Sequence, residues 1–171
     1  MRRLPIFIVL LIAPAAFATE QPGPDDVLVQ VMTAGVPHDQ RERPRFLWDQ
    51  FANKPQERKF IYHSRTAQWK KDFAVFADAL VRKAREQSLN ADALHRALDR
   101  ILRESDPNVA YLPVGAYQST LDGKPVWIVT VDWENLSMRV GTDPEDIKMG
   151  HIRMFAYDQK SGERVGFMTC D

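Results

Sequence analysis

Cysteine is almost missing from this chain of 171 residues, which contains Cys170 and no other. A single cysteine cannot form a disulfide within one chain, so the fold must be held together by packing. The odd thiol is either free or paired between two chains, and the second case predicts a disulfide-linked homodimer through Cys170. The alternative is a small residue that simply packs at the end of a final strand.

An excess of charge of one sign is missing as well. Lysine and arginine together number 23, and aspartate and glutamate also number 23. Binding to nucleic acid or to an anionic membrane surface requires a basic patch or a basic net charge. The balance of charges therefore predicts no nucleic-acid partner.

Sequence motifs that carry chemistry are also absent. The chain has no glycine-rich phosphate loop, no Gly-x-Ser-x-Gly nucleophile turn and no paired-carboxylate motif. The histidines are His38, His63, His95 and His151, and no two of them have the i, i+4 spacing of a helical metal pair. We therefore expect no cofactor and no metal.

The longest apolar run lies at the start of the chain, where Arg2 and Arg3 precede residues 4–12. The run is shorter than the roughly 20 residues that span a bilayer, and Ala16-Phe17-Ala18 offers the small residues of a cleavage site. We predict that residues 1–18 are a cleavable signal peptide and that the mature chain is periplasmic or secreted. That mature chain has no further run long enough for a transmembrane segment, and it carries 21 basic and 23 acidic residues.

Proline and charged residues dominate the next stretch, residues 19–45. Its one apolar run, residues 27–32, is too short for its period to distinguish a helix from a strand. We predict an N-terminal arm with one short helix or strand, followed by a single α+β domain over residues 46–171. Residues 46–51 are predicted to form a short helix at the start of that domain.

Two amphipathic helices are predicted from apolar residues at helical spacing. The first carries its stripe from Trp69 to Ala84 and could be capped by Ser64 or Thr66. The second begins at the capping residue Asn90 and ends before Pro107, because proline cannot continue the helical hydrogen bonds. The stripe of the first helix comprises Trp69, Phe73, Phe76, Ala77, Leu80, Val81 and Ala84.

After Pro113 the apolar period changes from that of a helix to that of a strand. Strands are predicted at residues 114–121, 125–134, 151–157 and 164–170, with a polar loop at 135–149 that holds one helical turn at 142–145. Asp122-Gly123 predicts a tight hairpin, because glycine supplies the positive φ of a type I′ turn. Trp127 and Trp133 share one face of their strand, and we expect the helices to cover that face. The predicted fold is therefore α+β, with N-terminal helices packed on a four-stranded antiparallel meander.

A family resemblance is carried by the C-terminal half of the chain. The helix at residues 91–104, the strand WIVTV at 127–131 and the segment AYDQKSGERV at 156–165 resemble PepSY-type domains, which are similar to cystatins. The resemblance implies a sheet wrapped against a helix, in an exported module that binds or inhibits another protein. It implies no catalytic residue, and the helix that starts near Trp69 is not part of the pattern.

The sequence leaves three alternative functions open. The first is an exported, non-enzymatic protein-binding or inhibitor-like domain whose partner is another exported protein. The second is a small thiol-dependent or hydrolytic enzyme using Cys170 and His151, which antiparallel pairing of the last two strands would bring near each other. The third is a small-ligand binder that uses the aromatic residues of the sheet.

Overall fold

The computed structural model describes residues 23–32, 35–37, 62–137 and 146–170. After a short 3₁₀ turn at Pro24–Asp26, the elements are β1 (Leu28–Val31), β2 (Tyr62–Arg65), α1 (Trp69–Glu86), α2 (Ala91–Glu104), β3 (Val109–Leu121), β4 (Lys124–Asn135), β5 (Asp146–Met149), β6 (His151–Asp158) and β7 (Arg164–Cys170). The predicted signal peptide, the helix at 46–51 and the helical turn at 142–145 lie outside the described residues. No helix in the described ranges has the length and apolar character needed to cross a membrane.

Helix α1 buries the predicted apolar stripe except for Ala77, which is only partly buried, and it buries Ala79 in addition. Its buried residues are Trp69, Phe73, Phe76, Ala79, Leu80, Val81 and Ala84. The predicted caps are wrong, because the helix begins after Gln68, whose side chain makes no capping hydrogen bond. Ser64 lies in β2 instead, and its hydroxyl donates a hydrogen bond to the Asp72 carboxylate in the first turn of α1.

Helix α2 begins and ends where the sequence predicts. The Asn90 side chain accepts a hydrogen bond from the backbone N–H of Ala93 at 3.2 Å, as an N-cap residue does. The helix ends at Glu104 because Ser105 adopts an extended backbone with ψ of 138°, as is common shortly before a proline. The apolar side of α2 buries Leu94, Ala97, Leu98 and Ile101.

Among the described residues, the main sheet has five strands in the order β1-β3-β4-β6-β7. Neighbours from β3 to β7 are antiparallel, but β1 pairs with β3 in parallel, with Leu28 opposite Gly115. The α+β class is confirmed, and the prediction of a four-stranded antiparallel meander is wrong. The fifth strand comes from the short apolar run of the predicted arm, whose few residues do not show a strand period on their own.

Side chains at the end of α1 and just after it bind the backbone of β1 and of the residues that precede it. The Lys83 ammonium group donates hydrogen bonds to the carbonyl oxygens of Asp25 at 2.6 Å and Val27 at 2.8 Å. The Gln87 amide donates to the carbonyl oxygen of Val29 at 3.1 Å. The helix therefore binds the outer strand through polar contacts as well as through packing.

The β3–β4 hairpin turns at Asp122 and Gly123, whose φ angles are 53° and 75°. These positive values match the type I′ turn that the sequence predicts. The strand β3 begins at Val109, five residues before the predicted start. A register shift between Pro113 and Gly115 breaks the alternation there, because a bulge inserts one extra residue into one strand.

A second, two-stranded sheet pairs β2 with β5, with Arg65 opposite Asp146 and Tyr62 opposite Met149. The sequence predicts a polar loop over residues 135–149. This prediction is wrong at residues 146–149, which form β5. Ile147 and Met149 are fully buried in the main core. Two apolar residues at alternate positions provide the strand signal, which is too short to recognise within a polar segment.

The core occupies the side of the sheet that carries Trp127, Val129 and Val131, together with the buried faces of both helices. A smaller apolar cluster, which includes Tyr117, Ile128 and Met154, is separate from this core. The prediction that the helices cover both tryptophans of β4 is confirmed for Trp127, which is fully buried. It is wrong for Trp133, which is only partly buried and packs against the margin of the core.

Candidate functional site

A cleft of about 300 Å³ lies at the C-terminal end of α2, between its last turn and strand β6. We call it the arginine–tyrosine cleft. Its polar wall is formed by Tyr111, Arg153, Tyr157 and Arg164 on the strands and by Glu104 and Asp106 at the end of the helix. Ile101 and Phe155 provide apolar lining. Such a space is large enough for one side chain or one small ligand.

The strand register explains why these side chains meet. Arg153, Phe155 and Tyr157 are opposite Val131, Val129 and Trp127 in β4, so they share the sheet face that carries the core. Alternate residues of a strand project to one face, and this rule places a cationic side chain in line with two aromatic ones. The helix ends beside them, because Ser105 leaves helical geometry.

Arg153 is held by two aromatic side chains. Its Nη1 atom donates a hydrogen bond to the hydroxyl oxygen of Tyr111 at 2.6 Å. Its Cζ atom lies 3.5 Å from the centre of the Trp133 ring and 5.6 Å from that of Tyr111. The Tyr111 ring in turn makes an edge contact with Phe155, at 5.9 Å between centres. Stacking on an aromatic ring orients a planar guanidinium group, so the cation at the cleft is pre-positioned.

Tyr157 is the most unusual polar residue of the cleft. It is 1% exposed, and its hydroxyl has no hydrogen-bond partner within the described ranges. Burial, and in smaller part the charge of Glu104, raises the pKa of Tyr157 to about 12. The phenol therefore stays protonated at neutral pH and can both donate and accept a hydrogen bond.

Glu104 is shared between two arginine side chains. Its carboxylate lies 2.5 Å from Arg100 Nε and 3.7 Å from Arg164 Nη1. The second carboxylate of the cleft, Asp106, accepts a hydrogen bond from the backbone N–H of Asn108 at 2.8 Å. Both acidic groups of the cleft therefore already have partners within the protein.

A further unpaired polar group, Asp132, lies in β4 next to Trp133 but on the opposite face. It is 4% exposed, and its Oδ2 atom has no hydrogen-bond partner in the described part of the chain. Its register neighbours are Leu112 and Ile152, which offer no side-chain hydrogen bond. Burial alone raises the pKa of Asp132 to about 8, so at neutral pH the protonated form is the main one.

The two catalytic candidates from the sequence, Cys170 and His151, lie close together along the backbone. The β6–β7 register pairs Cys170 with Ile152, one position after His151, as antiparallel pairing predicts. His151 is exposed, and its ring centre lies 5.4 Å from that of Trp133. The Cys170 side chain lies outside the described residues, so a catalytic thiol and a disulfide-linked homodimer both stay predictions.

Two of the other histidines, His63 and His95, lie within the described residues. No group of three potential ligands that could hold a metal ion occurs in the part of the chain that the structure describes. His95 lies on the exposed side of α2, with its Nδ1 atom 3.6 Å from Asp99. His63 lies in β2 and not in a loop, and His38 is outside the described ranges.

Sequence reasoning did not identify the arginine–tyrosine cleft. Its clearest signal is in β6, where the arginine at position 153 alternates with Phe155 and Tyr157 on a face that is otherwise apolar. A charged residue on the buried face of a strand needs a partner or a solvent opening. The aromatic rings that hold it, Tyr111 and Trp133, come from two other strands, so local pattern does not reveal them.

A scan against protein-family models and searches of curated proteins and solved structures find no match to this chain.

Proposed function

We propose that this protein is an exported, non-enzymatic binding domain that holds a group of another exported protein in the arginine–tyrosine cleft. The observation that carries this proposal is the buried hydroxyl of Tyr157, which lines the cleft and has no hydrogen-bond partner among the described residues. An unmade hydrogen bond at a buried group costs about 1–3 kcal/mol. The hydroxyl itself is almost fully covered, so a partner group that displaces its cover and completes this bond would recover that free energy on binding.

The composition of the cleft supports binding over catalysis. None of the lining residues that the structure describes is a cysteine or a histidine. Arginine side chains stay protonated in proteins, and Tyr157, with a pKa of about 12, stays protonated at neutral pH. A general base needs a pKa near the working pH, and neither residue type on the strand side of the cleft meets that condition.

Two features of the sequence support the same proposal. The first 18 residues have the pattern of a cleavable signal peptide, which is the basis for proposing export. The C-terminal half resembles PepSY-type and cystatin-like domains, which are binding or inhibitory modules. The resemblance and the cleft concern overlapping parts of the chain, because α2 and β6 contribute to both.

A small-ligand binder is the second candidate. The volume of about 300 Å³ is at the lower end of the range for small-molecule sites. The same volume also suits one side chain that projects from a protein surface. The two candidates differ in whether a macromolecule or a metabolite is captured.

The test is affinity capture from the envelope or medium of the protein's own host, with purified chain lacking residues 1–18 as bait. Three baits are compared: the unchanged protein, Tyr157→Phe and Arg103→Gln. Arg103 is an exposed arginine of α2 that is not among the described lining residues of the cleft, so Arg103→Gln controls for a substitution that leaves this lining unchanged. Circular dichroism and thermal unfolding of each bait establish that all three are folded.

We expect one protein to be retained by the unchanged bait and by Arg103→Gln, and to be retained several-fold less by Tyr157→Phe. Equal retention by all three baits would contradict the proposed role of the cleft. Recovery of a small molecule, detected by mass spectrometry of the denatured bait, would favour the second candidate.

A further inference from the structure

We propose that the outer face of the main sheet holds one buried water molecule, bound between the side chains of Thr130 and Asp132. The outer face is the side opposite Trp127 and the helices, and Thr130 and Asp132 project from it at alternate positions of β4. This inference is independent of the arginine–tyrosine cleft and of the proposed binding function. It assigns a second site to the molecule, whose ligand is small, neutral and able both to donate and to accept hydrogen bonds.

Both side chains are buried, and each carries an atom without a hydrogen-bond partner. Thr130 is 7% exposed and Asp132 is 4% exposed. The Oγ1 atom of Thr130 and the Oδ2 atom of Asp132 make no hydrogen bond within the described part of the chain. Buried polar groups that the protein itself does not pair are usually bound by ordered water. Two such groups on one face of one strand mark the same position for it.

The spacing of the two residues suits a bridge through water. Residues two apart in a strand are separated by about 6.6 Å along the strand. A water that makes two hydrogen bonds of about 2.8 Å joins oxygen atoms that lie up to about 5.6 Å apart. The hydroxyl of Thr130 and the carboxyl group of Asp132, which is protonated at neutral pH, can each donate or accept. The water can therefore donate to one of them and accept from the other.

Tyr117 brings a third polar group to this position. Gly115 is opposite Thr130 in the neighbouring strand β3, and a Cβ atom added at Gly115 would lie 3.1 Å from the hydroxyl oxygen of Tyr117. Residues directly opposite each other are separated by about 5 Å between Cβ positions, so this hydroxyl lies beside Thr130. A buried water makes about three hydrogen bonds on average, and a phenol oxygen can accept one in addition to the bond that it donates.

The close packing of the outer face restricts the ligand to the size of water. A bulge between Pro113 and Gly115 bends β3 at this point, and glycine presents no side chain to Thr130. The neighbouring residues Ile128 and Met154 are 1% and 2% exposed, which leaves no space for a small-molecule site of roughly 300 Å³. One water has a share of about 30 Å³ in the liquid. A metal ion is disfavoured, because no cluster of potential metal ligands occurs in the described residues.

The first test is a crystal structure of the chain that lacks residues 1–18, at a resolution that shows ordered water. We expect one water within hydrogen-bond distance of both Thr130 Oγ1 and Asp132 Oδ2. The second test counts long-lived waters in solution by ¹⁷O relaxation dispersion of the solvent. This method follows the water oxygen, so exchange of the Thr130 and Asp132 protons with solvent does not affect the count.

Three variants are compared with the unchanged chain in solution. The double variant Thr130→Val/Asp132→Leu removes both polar groups and should lose one long-lived water. Asp132→Asn keeps a side chain that donates and accepts hydrogen bonds, so it should retain the water. Thr120→Val, at an exposed position of β3, is the control for loss of a threonine hydroxyl and should leave the count unchanged.

Circular dichroism and thermal unfolding establish which variants are folded, and the crystal structure decides the matter if the double variant does not fold. A direct hydrogen bond between Thr130 and Asp132 in the crystal, or a position between them without ordered water, would overturn the inference. An unchanged count of long-lived waters in the folded double variant would overturn it as well. Neither measurement involves a captured partner, so failure of the proposed binding function leaves the water site standing.

Discussion

Trp127 and Trp133 lie on one face of the same strand, yet they differ in burial, in hydrogen bonding of the indole N–H and in the groups that contact the ring. Trp127 is fully buried, and its indole N–H donates a hydrogen bond to the carbonyl oxygen of Asn90 at 2.9 Å. Trp133 is partly buried, its indole N–H has no partner within the described ranges, and Arg153 is stacked on its ring. The first tryptophan holds a helix start, and the second supports a charged side chain.

The difference shows how one sheet face serves two purposes. At the hairpin end, Trp127 is fully buried and its indole N–H is paired. At the other end, α2 stops at Glu104, and the indole N–H of Trp133 has no partner in the described residues. Buried polar groups are almost always hydrogen-bonded in folded proteins, so the unpaired indole marks a position that packing alone does not explain.

The largest expected loss of stability is at the buried tryptophan. Trp127→Ala should lower the free energy of unfolding by about 3–5 kcal/mol, the range for deletion of a large buried aromatic side chain. Trp133→Ala should cost less than half as much, because its ring is already partly exposed. Urea unfolding of the two variants measures both losses. Equal losses would mean that Trp133 belongs to the core as fully as Trp127 does.

The second prediction concerns pH and uses Asp132, which neighbours Trp133 in the chain. Its pKa in the fold is about 8, against an ordinary value of 3.8, so the folded chain holds the proton more tightly than the unfolded chain. Stability from this group is then fully present below about pH 4, falls as pH rises toward 8, and is level above that. A tenfold change in proton affinity corresponds to about 1.4 kcal/mol, so the loss amounts to a few kcal/mol.

Asp132→Asn should remove this pH dependence and should make the protein more stable than the unchanged chain at pH 8. Thermal unfolding between pH 4 and pH 9 measures the effect. Asp78→Asn, at an exposed position of α1, is the control for loss of one carboxylate. A profile that keeps its fall toward pH 8 in Asp132→Asn would assign the titration to another group.

A smaller effect tests the helix start beside Trp127. Asn90→Ala removes the side-chain acceptor for the Ala93 N–H and should cost about 1 kcal/mol. The backbone carbonyl that binds Trp127 remains, so the tryptophan should stay buried, and its indole N–H signal in a ¹H–¹⁵N NMR spectrum should not move. A shift of that signal together with a loss near that of Trp127→Ala would show that the cap and the indole contact act as one unit.

The last expected effect is at the cleft and has the opposite sign. Tyr157→Phe removes a buried hydroxyl that has no partner in the described residues, so the free energy of unfolding should rise by about 1 kcal/mol, the lower end of the cost of an unmade hydrogen bond. Tyr111→Phe is the contrasting variant, because it removes the acceptor for Arg153 and should cost about 1 kcal/mol. A loss at Tyr157 as large as that at Tyr111 would show that the Tyr157 hydroxyl is bonded in the native protein.

Much of the fold can be predicted from local sequence patterns. The stripe of α1, the Asn90 cap, the Asp122–Gly123 turn and the alternation of β4 each predict their elements from neighbouring residues. The two strands that the sequence does not predict depend on partners far away in the chain. Residues 28–31 become a strand because β3 provides a neighbour, and residues 146–149 do so because β2 provides one. A four-residue strand has too few alternations to be recognised without its partner.

The candidate site was less predictable for the same reason. Arg153 is assembled with Tyr111 and Trp133 across three strands, and the missing partner of Tyr157 is visible only in three dimensions. The pair Cys170 and His151 stood out because cysteine and histidine are rare here. The rarity of a residue type does not show whether the surroundings of that residue would make it reactive.

The polar contacts between α1 and β1 have a consequence for solubility. A strand at the side of a sheet can recruit the same strand of another molecule, and Val31, 56% exposed, is the kind of side chain that favours such growth. Lys83 and Gln87 occupy carbonyl groups at and just before this strand that an added strand would need. The groups that cover these carbonyls therefore belong to the end of α1 and to the residue after it, more than fifty residues away in sequence, and not to β1 itself.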